Sequence, residues 1–151
     1  MRLQILIESL LPQSELSFGV GGIEFFQPTS VAQEQAGYEG PDWGRDWLVV
    51  AHETCCGDPI FVDQSEPGLP VYTAMIGMGD WTRSRIAPTW QQFVAVLEFL
   101  QPYTKGREHP VGLAQYPLTP AEEQEVRDGL LAILGQPVAE FWGLLMSPPA
   151  Q

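Results

Sequence analysis

The stretch from Trp47 to Trp90 constrains this chain more than any other part of it. Three short apolar runs, Leu48 to Ala51, Ile60 to Val62 and Val71 to Ile76, are rich in β-branched and aromatic residues and are bounded by Gly, Pro and Asp. Such side chains suit a pleated, half-buried surface, so each run is expected to be a strand. The gap from Thr54 to Pro59 holds Gly57-Asp58, and the gap from Gln64 to Pro70 holds Pro67, Gly68 and Pro70. Both gaps are short and carry turn chemistry, which predicts an antiparallel meander.

Helices are expected on either side of it. Thr89-Trp90-Gln91-Gln92 fits a capping box, with Trp90, Phe93, Val94, Leu97 and Leu100 along one face and Pro102 as the stop. Burying those five side chains contributes on the order of 10 kcal/mol before entropy, at about 1.5 to 3 each. Trp47, Phe61, Tyr72, Trp90, Phe93 and Leu97 are therefore expected to share one core between sheet and helix. Thr119-Pro120-Ala121-Glu122 is a second capping box, followed by Val126, Leu130, Ile133 and Leu134, with Gly135 as the terminating residue. Pro137 restarts a last helix with Val138, Phe141, Trp142 and Leu145 on one face, so residues 119–146 read as a C-terminal helical pair.

Upstream, the glycines of Ser17 to Gly22 lead into a short strand at Ile23 to Phe26, and Thr29 or Ser30 can cap a short helix through Gln35. No dinucleotide fingerprint is formed, because a strand and not a helix follows those glycines. Leu3, Leu6, Ile7, Leu10 and Leu11 make a helical stripe ended by Pro12, although Leu3, Ile5 and Ile7 also alternate as a strand would. Tyr103 to Leu118 has little periodicity and is expected to be a mobile connection with an irregular edge strand at Val111 to Leu113. The fold class is thus α/β of the α+β type: one domain over 1–151, with a mainly antiparallel sheet from a central meander, flanked by helices.

A chain of 151 residues buries about 68 to 70% of its unfolded surface without a disulfide staple. Cys55 and Cys56 are adjacent, a poor geometry for bonding to one another, which reads as free thiols in a reducing, cytoplasmic compartment. The N-terminus lacks a small-residue cleavage site, and no segment approaches a membrane span of roughly 20 apolar residues. Acidic residues number 19 against 7 basic ones, for a net charge of −12. That field repels phosphate backbones and anionic lipid and attracts basic proteins; the competing account is solubility alone.

Chemistry-bearing residues form no catalytic constellation. His52, Cys55, Cys56 and Asp58 crowd one turn, but a closed zinc site needs two ligand pairs, and the only other His or Cys is His109. His52-Glu53 with Cys55-Cys56 misses both halves of the zinc-deaminase signature, and a strand-to-turn connection gives no helix N-terminus to activate a thiol. Asp58 and Asp63 flank one strand roughly 16 Å apart, too far for paired acid and base chemistry. Glu122, Glu123, Glu125 and Asp128 lie early in a helix, where the macrodipole favours negative charge. No metal and no cofactor is expected.

The central stretch resembles the SUKH superfamily, which includes fungal cell-wall-assembly regulators and bacterial immunity proteins against polymorphic toxins. The likeness rests on Trp47-Leu48-Val49-Val50-Ala51, Gly57-Asp58-Pro59-Ile60-Phe61-Val62-Asp63, Pro70-Val71-Tyr72, Gly77-x-Gly79-x-Trp81, and Ile86-Ala87-Pro88-Thr89-Trp90 leading to Phe93 and Leu97. It covers roughly a third of the chain. The family's longer N-terminal helical region is compressed here, and the helical pair from Thr119 has no counterpart in the family core. The resemblance implies a sheet flanked by helices that binds protein partners and has no known enzymatic chemistry. Combined with the charge, it gives a non-enzymatic immunity protein whose partner is a basic, nuclease-type toxin domain, docked on Asp58, Asp63, Glu66, Asp80 and Trp81. The alternatives are a regulatory scaffold without a toxin and a thiol- or zinc-dependent enzyme.

Overall fold

The computed structural model describes residues 15–38, 40–75, 81–108, 112–135 and 140–146. The chain has an α+β fold built on a curled, six-stranded antiparallel sheet. Strands β1 (Leu16–Phe18), β2 (Gly21–Phe25), β3 (Trp47–Glu53), β4 (Pro59–Asp63), β5 (Val71–Ala74) and β6 (Arg83–Ala87) lie side by side in chain order. The three central strands stand where their apolar runs and turn residues place them, except that β5 ends at Ala74 and Ile76 lies outside the described residues. β1 and β6 are additions. β1 is a three-residue edge closed by Gly19-Val20, and β6 carries the polar sequence Arg-Ser-Arg ahead of Ile86, so neither announces itself by hydrophobicity.

One face of the sheet is covered by helices. These are α2 (Trp90–Leu100), α4 (Pro120–Leu134) and α5 (Glu140–Leu145); α1 (Val31–Glu34), flanked by tight 3-10 turns, packs near β3, and α3 (Gly112–Gln115) is a single turn. Thr89 caps α2 by accepting from the Gln92 amide at 3.1 Å. The Gln92 side chain does not return to the cap backbone; it accepts from the Thr89 hydroxyl and donates to the Ile133 carbonyl, tying α2 to α4. Thr119 and Glu122 make both arms of the second capping box, and Gly135 ends α4 in the left-handed conformation at φ 68°. Gly129 has a packing role: a Cβ there would fall 2.0 Å from Phe99 Cζ, so the missing side chain lets α2 and α4 approach.

Two bulges decide which residues face the helices. Pairing shifts between Val49 and Ala51 in β3, and again opposite the Val71-Tyr72 step, where Ile86 is left over in β6. Each bulge turns two consecutive residues, Val50-Ala51 and Ile86-Ala87, into the large core with Phe25, Trp90, Phe93, Leu97 and Trp142. Their backbone groups find other partners. The Val50 carbonyl accepts from the Phe26 amide, and the Ile86 carbonyl accepts from the buried Trp142 indole at 2.8 Å. Beyond the end of β2, the Gln35 carboxamide bonds both the Val49 amide and carbonyl at 2.8 Å, standing in for a strand.

The expectation of a single shared core is corrected. Trp90, Phe93 and Leu97 lie in the helix-covered core, whereas Phe61 and Tyr72, with Trp47 against them, form a second cluster on the opposite face. Side chains alternate along a strand, so Phe61 points away from Ile60 and Val62. The segment from Tyr103 to Leu118 is also revised. Gly112 to Leu113 begins a helical turn and not an edge strand, with Val111 outside the described residues. Arg107, 2% exposed, donates to the carbonyls of Tyr103, Tyr116 and Pro117 and to Glu122, which fastens the connection to α4. The N-terminal stripe from Leu3 to Leu11 lies outside the described residues, as do Pro137 and Val138. Among the described residues no helix is long and apolar enough to cross a membrane.

Candidate functional site

The face of the sheet opposite the helices is aromatic and charged. Period-two alternation brings Trp47 and Val49 of β3, Phe61 and Asp63 of β4, Tyr72 and Ala74 of β5, and Arg83 and Arg85 of β6 to this side. Trp47 stacks on Phe61 at 4.7 Å between centroids, and Phe61 stacks on Tyr72 at 6.0 Å. Tyr38 and Trp43, from the loop after α1, and Trp81, just before β6, extend the row. Trp43 meets Phe61 at 4.9 Å, Trp47 edge-on at 5.0 Å and Trp81 edge-on at 5.2 Å, and Tyr38 stacks on it at 5.5 Å. Tyr38, Trp43, Trp47 and Trp81 are all half-buried.

Into this wall the chain folds its own guanidinium. Arg83 lies over the Tyr72 ring at 4.1 Å and near the Trp47 ring at 5.4 Å, while its fork bonds Asp63 at 2.6 Å and Glu66 at 3.4 Å. The Tyr72 hydroxyl donates to Glu66 at 2.8 Å, and Arg85 stands 4.0 Å from the same carboxylate. Asp63 also accepts from the Ser65 amide and hydroxyl at 2.9 and 2.5 Å. Burial pushes the Asp63 carboxyl up, but the Ser65 bonds and the Arg83 charge overcome it and hold the group below the usual carboxylate range. Arg83 is held more firmly protonated, its own burial being outweighed by Asp63, Tyr72 and Glu66. Chemically, these flat π faces beside carboxylates are a receptor for a planar cation.

The five residues expected to bind a partner are dispersed. Asp63 and Glu66 come together around Arg83, and Trp81 joins the aromatic row. Asp63 is 5% exposed, which corrects the expectation of a free carboxylate on the turn: its charge is spent on Arg83 and Ser65. Asp58 sits at the far end of β4, in the β3–β4 turn, where its amide donates to Glu53 and its carbonyl accepts from the Glu53 amide. Asp80 lies outside the described residues.

Sequence reasoning passed over Arg83, Tyr38 and Trp43. The alternation Arg83-Ser84-Arg85-Ile86 puts two arginines on one face only once β6 pairs with β5, so the sequence alone did not single out Arg83. Glu53 was passed over too. It is buried, and its carboxylate accepts from the amides of Cys55, Cys56 and Asp58, so it organises the β3–β4 turn. The two thiols are free and exposed there, and a hydrogen bond that the Cys56 thiol donates to Cys55 is the first of several influences that push it up, away from thiolate. Among the described residues no three His, Cys, Asp or Glu side chains are grouped to hold a metal ion.

The exposed edge of the aromatic row is acidic. Glu34, Asp42 and Asp46 are all exposed on α1 and the loop that supplies Tyr38 and Trp43, with Arg45 among them. The Tyr38 phenol is pushed up by its own burial and then by the charge of Glu34. The fold and this face define an α+β protein with a two-sided sheet, one side closed by helices and the other presenting rings and carboxylates. No protein-family model, no curated protein and no solved structure matches the chain.

Proposed function

We propose that this chain is a non-enzymatic protein-binding domain of the SUKH kind, acting in the cytoplasm as an immunity protein that neutralises a basic toxin domain, with a nuclease as the first candidate. The observation that carries the reading is the disposition of charge. Of seven basic residues, Arg83 and Arg107 are folded into ion pairs with Asp63, Glu66 and Glu122, and Arg85, itself exposed, stands 4.0 Å from Glu66. The surface left over is dominated by carboxylates, including Glu34, Asp42, Asp46, Glu123, Glu125 and Asp128. Such a field accelerates encounter with a cationic protein and opposes phosphate backbones. The resemblance across β3, β4, β5 and the start of α2 supports the same class.

The test is to mix the purified chain with the basic C-terminal domain of a large secreted protein encoded in the adjacent reading frame. A stoichiometric complex on gel filtration at low salt, with loss of the toxin's activity, is expected. No complex and undiminished toxicity overturn the reading. A complex without inhibition favours the regulatory scaffold.

A further inference from the structure

We infer that the partner is received on the aromatic face, at the Tyr38–Trp43–Trp81 end of the row, and that it inserts arginine side chains there. This rests on the protein-binding reading and names its surface and the chemistry it selects.

Three observations converge. The inner end of the row already shows what it holds: Arg83 lies over the Tyr72 ring, near the Trp47 ring, and is forked into Asp63 and Glu66. The outer end repeats the composition. Tyr38, Trp43 and Trp81 pack against one another but stay half-exposed, and Glu34, Asp42 and Asp46 stand exposed on the segments that carry Tyr38 and Trp43. Arg83, Arg85 and Arg107 are the arginines that lie over aromatic rings among the described residues, and the rings they cover are Tyr72, Trp47 and Tyr116. The outer rings therefore have carboxylates at hand, and no guanidinium among the described residues lies over them. Clustered Trp and Tyr residues at the centre of an acidic rim are what an interface hot spot for arginine requires.

The other acidic surface has a different explanation. Glu123 and Asp128 on α4 are exposed around Arg127, the Tyr103 ring of the Phe99–Tyr103 pair is tied to Glu125 through its hydroxyl, and Glu122 and Glu123 occupy the helix start favoured by the macrodipole. That surface attracts a cation chiefly by charge, whereas a surface lined by three mutually packed rings separates arginine from lysine, since the planar guanidinium stacks and the hydrated ammonium does so less well.

The test uses the full chain, with oligo-arginine and oligo-lysine peptides of equal length titrated by calorimetry at low salt. Arginine is expected to bind about two- to fivefold tighter than lysine, the value of an exposed cation–π contact. Trp81→Ala and Tyr38→Ala, each checked by circular dichroism and melting, are expected to bring the ratio to about one. Asp42→Asn with Asp46→Asn is expected to weaken both peptides, and Glu123→Gln with Glu125→Gln and Asp128→Asn to change the ratio little. An arginine preference that survives both ring variants overturns the inference. So does binding lost on the α4 triple variant alone, which leaves the proposed function standing. Failure of the natural chain to bind either peptide overturns both.

Discussion

The two faces of the sheet are made from the same strands and do different work. On the helix side Val50, Ile60, Val62, Phe93, Leu97 and Trp142 belong to one large apolar cluster, and the buried Arg107 is bonded to the connection before α4. On the other side Phe61 and Tyr72 are buried just as deeply, yet Arg83, Asp63 and Glu66 are folded in with them. A dry apolar layer holds the fold through area and close packing. A layer of rings and ion pairs gains less net stability, because desolvating the charges offsets much of their attraction, but it fixes where each group points. The comparison predicts which variants hurt folding and which hurt recognition.

The largest loss is expected on the helix side. Trp142→Ala should destabilise by about 3 to 5 kcal/mol, from transfer and cavity terms, and leaves the Ile86 carbonyl at its bulge without its donor. Trp90→Ala belongs to the same range, but the two tryptophans part company as phenylalanines. The buried Trp90 indole nitrogen finds no acceptor among the described residues, so Trp90→Phe should cost clearly less than Trp142→Phe in urea denaturation. Equal costs for the two would mean that the Trp142 bond adds nothing beyond packing.

Next comes the polar side. Arg83→Met keeps the stem over Tyr72 and strands the buried Asp63 carboxylate, at a cost of about 2 to 3 kcal/mol at neutral pH, below the figure for a fully buried pair because Arg83 is partly exposed. The pH dependence follows from the depressed Asp63 value. Its stabilisation is complete above the unfolded carboxylate range near pH 4 and is lost as pH falls through the lower folded value. The gap between Arg83→Met and the natural chain should therefore shrink on acidification below the ordinary aspartate range. A gap that stays constant would assign Arg83's contribution to ring stacking.

A smaller effect is expected in the β3–β4 turn, where Glu53→Ala removes the acceptor of three backbone amides and should cost about 1 to 2 kcal/mol by thermal unfolding. Smallest is Trp81→Ala, at the half-buried end of the aromatic row, which should change stability by about 1 kcal/mol or less. A loss as large as that of Trp142 would show that the outer rings serve the fold and not a partner.

Much of this architecture was legible in the residues. Thr89, Thr119 with Glu122, and Gly135 mark helix ends because capping is settled within four residues of chain. The strands at Val49, Phe61 and Tyr72 follow from β-branched and aromatic runs between turn residues. β6 was not legible, since Arg83, Ser84 and Arg85 become strand only by pairing with Ala74, Thr73 and Tyr72. Of the five expected partner residues, the structure gathers Asp63, Glu66 and Trp81 on one face and sets Asp58 apart, a division that depends on which end of β4 each occupies.

The sequence by itself determined the local grammar: the meander, its turns, the capped helices and the excess of negative charge. Only the tertiary structure decided that the sheet has two cores, because alternation puts Phe61 and Ile60 on opposite sides without saying which side the helices cover. It also decided what the charges are for. Asp63 and Arg83 are 20 residues apart, Arg107 and Glu122 are 15 apart, and Trp142 reaches a carbonyl 56 residues away. Contacts at that separation are fixed by how layers pack, and no local pattern encodes them.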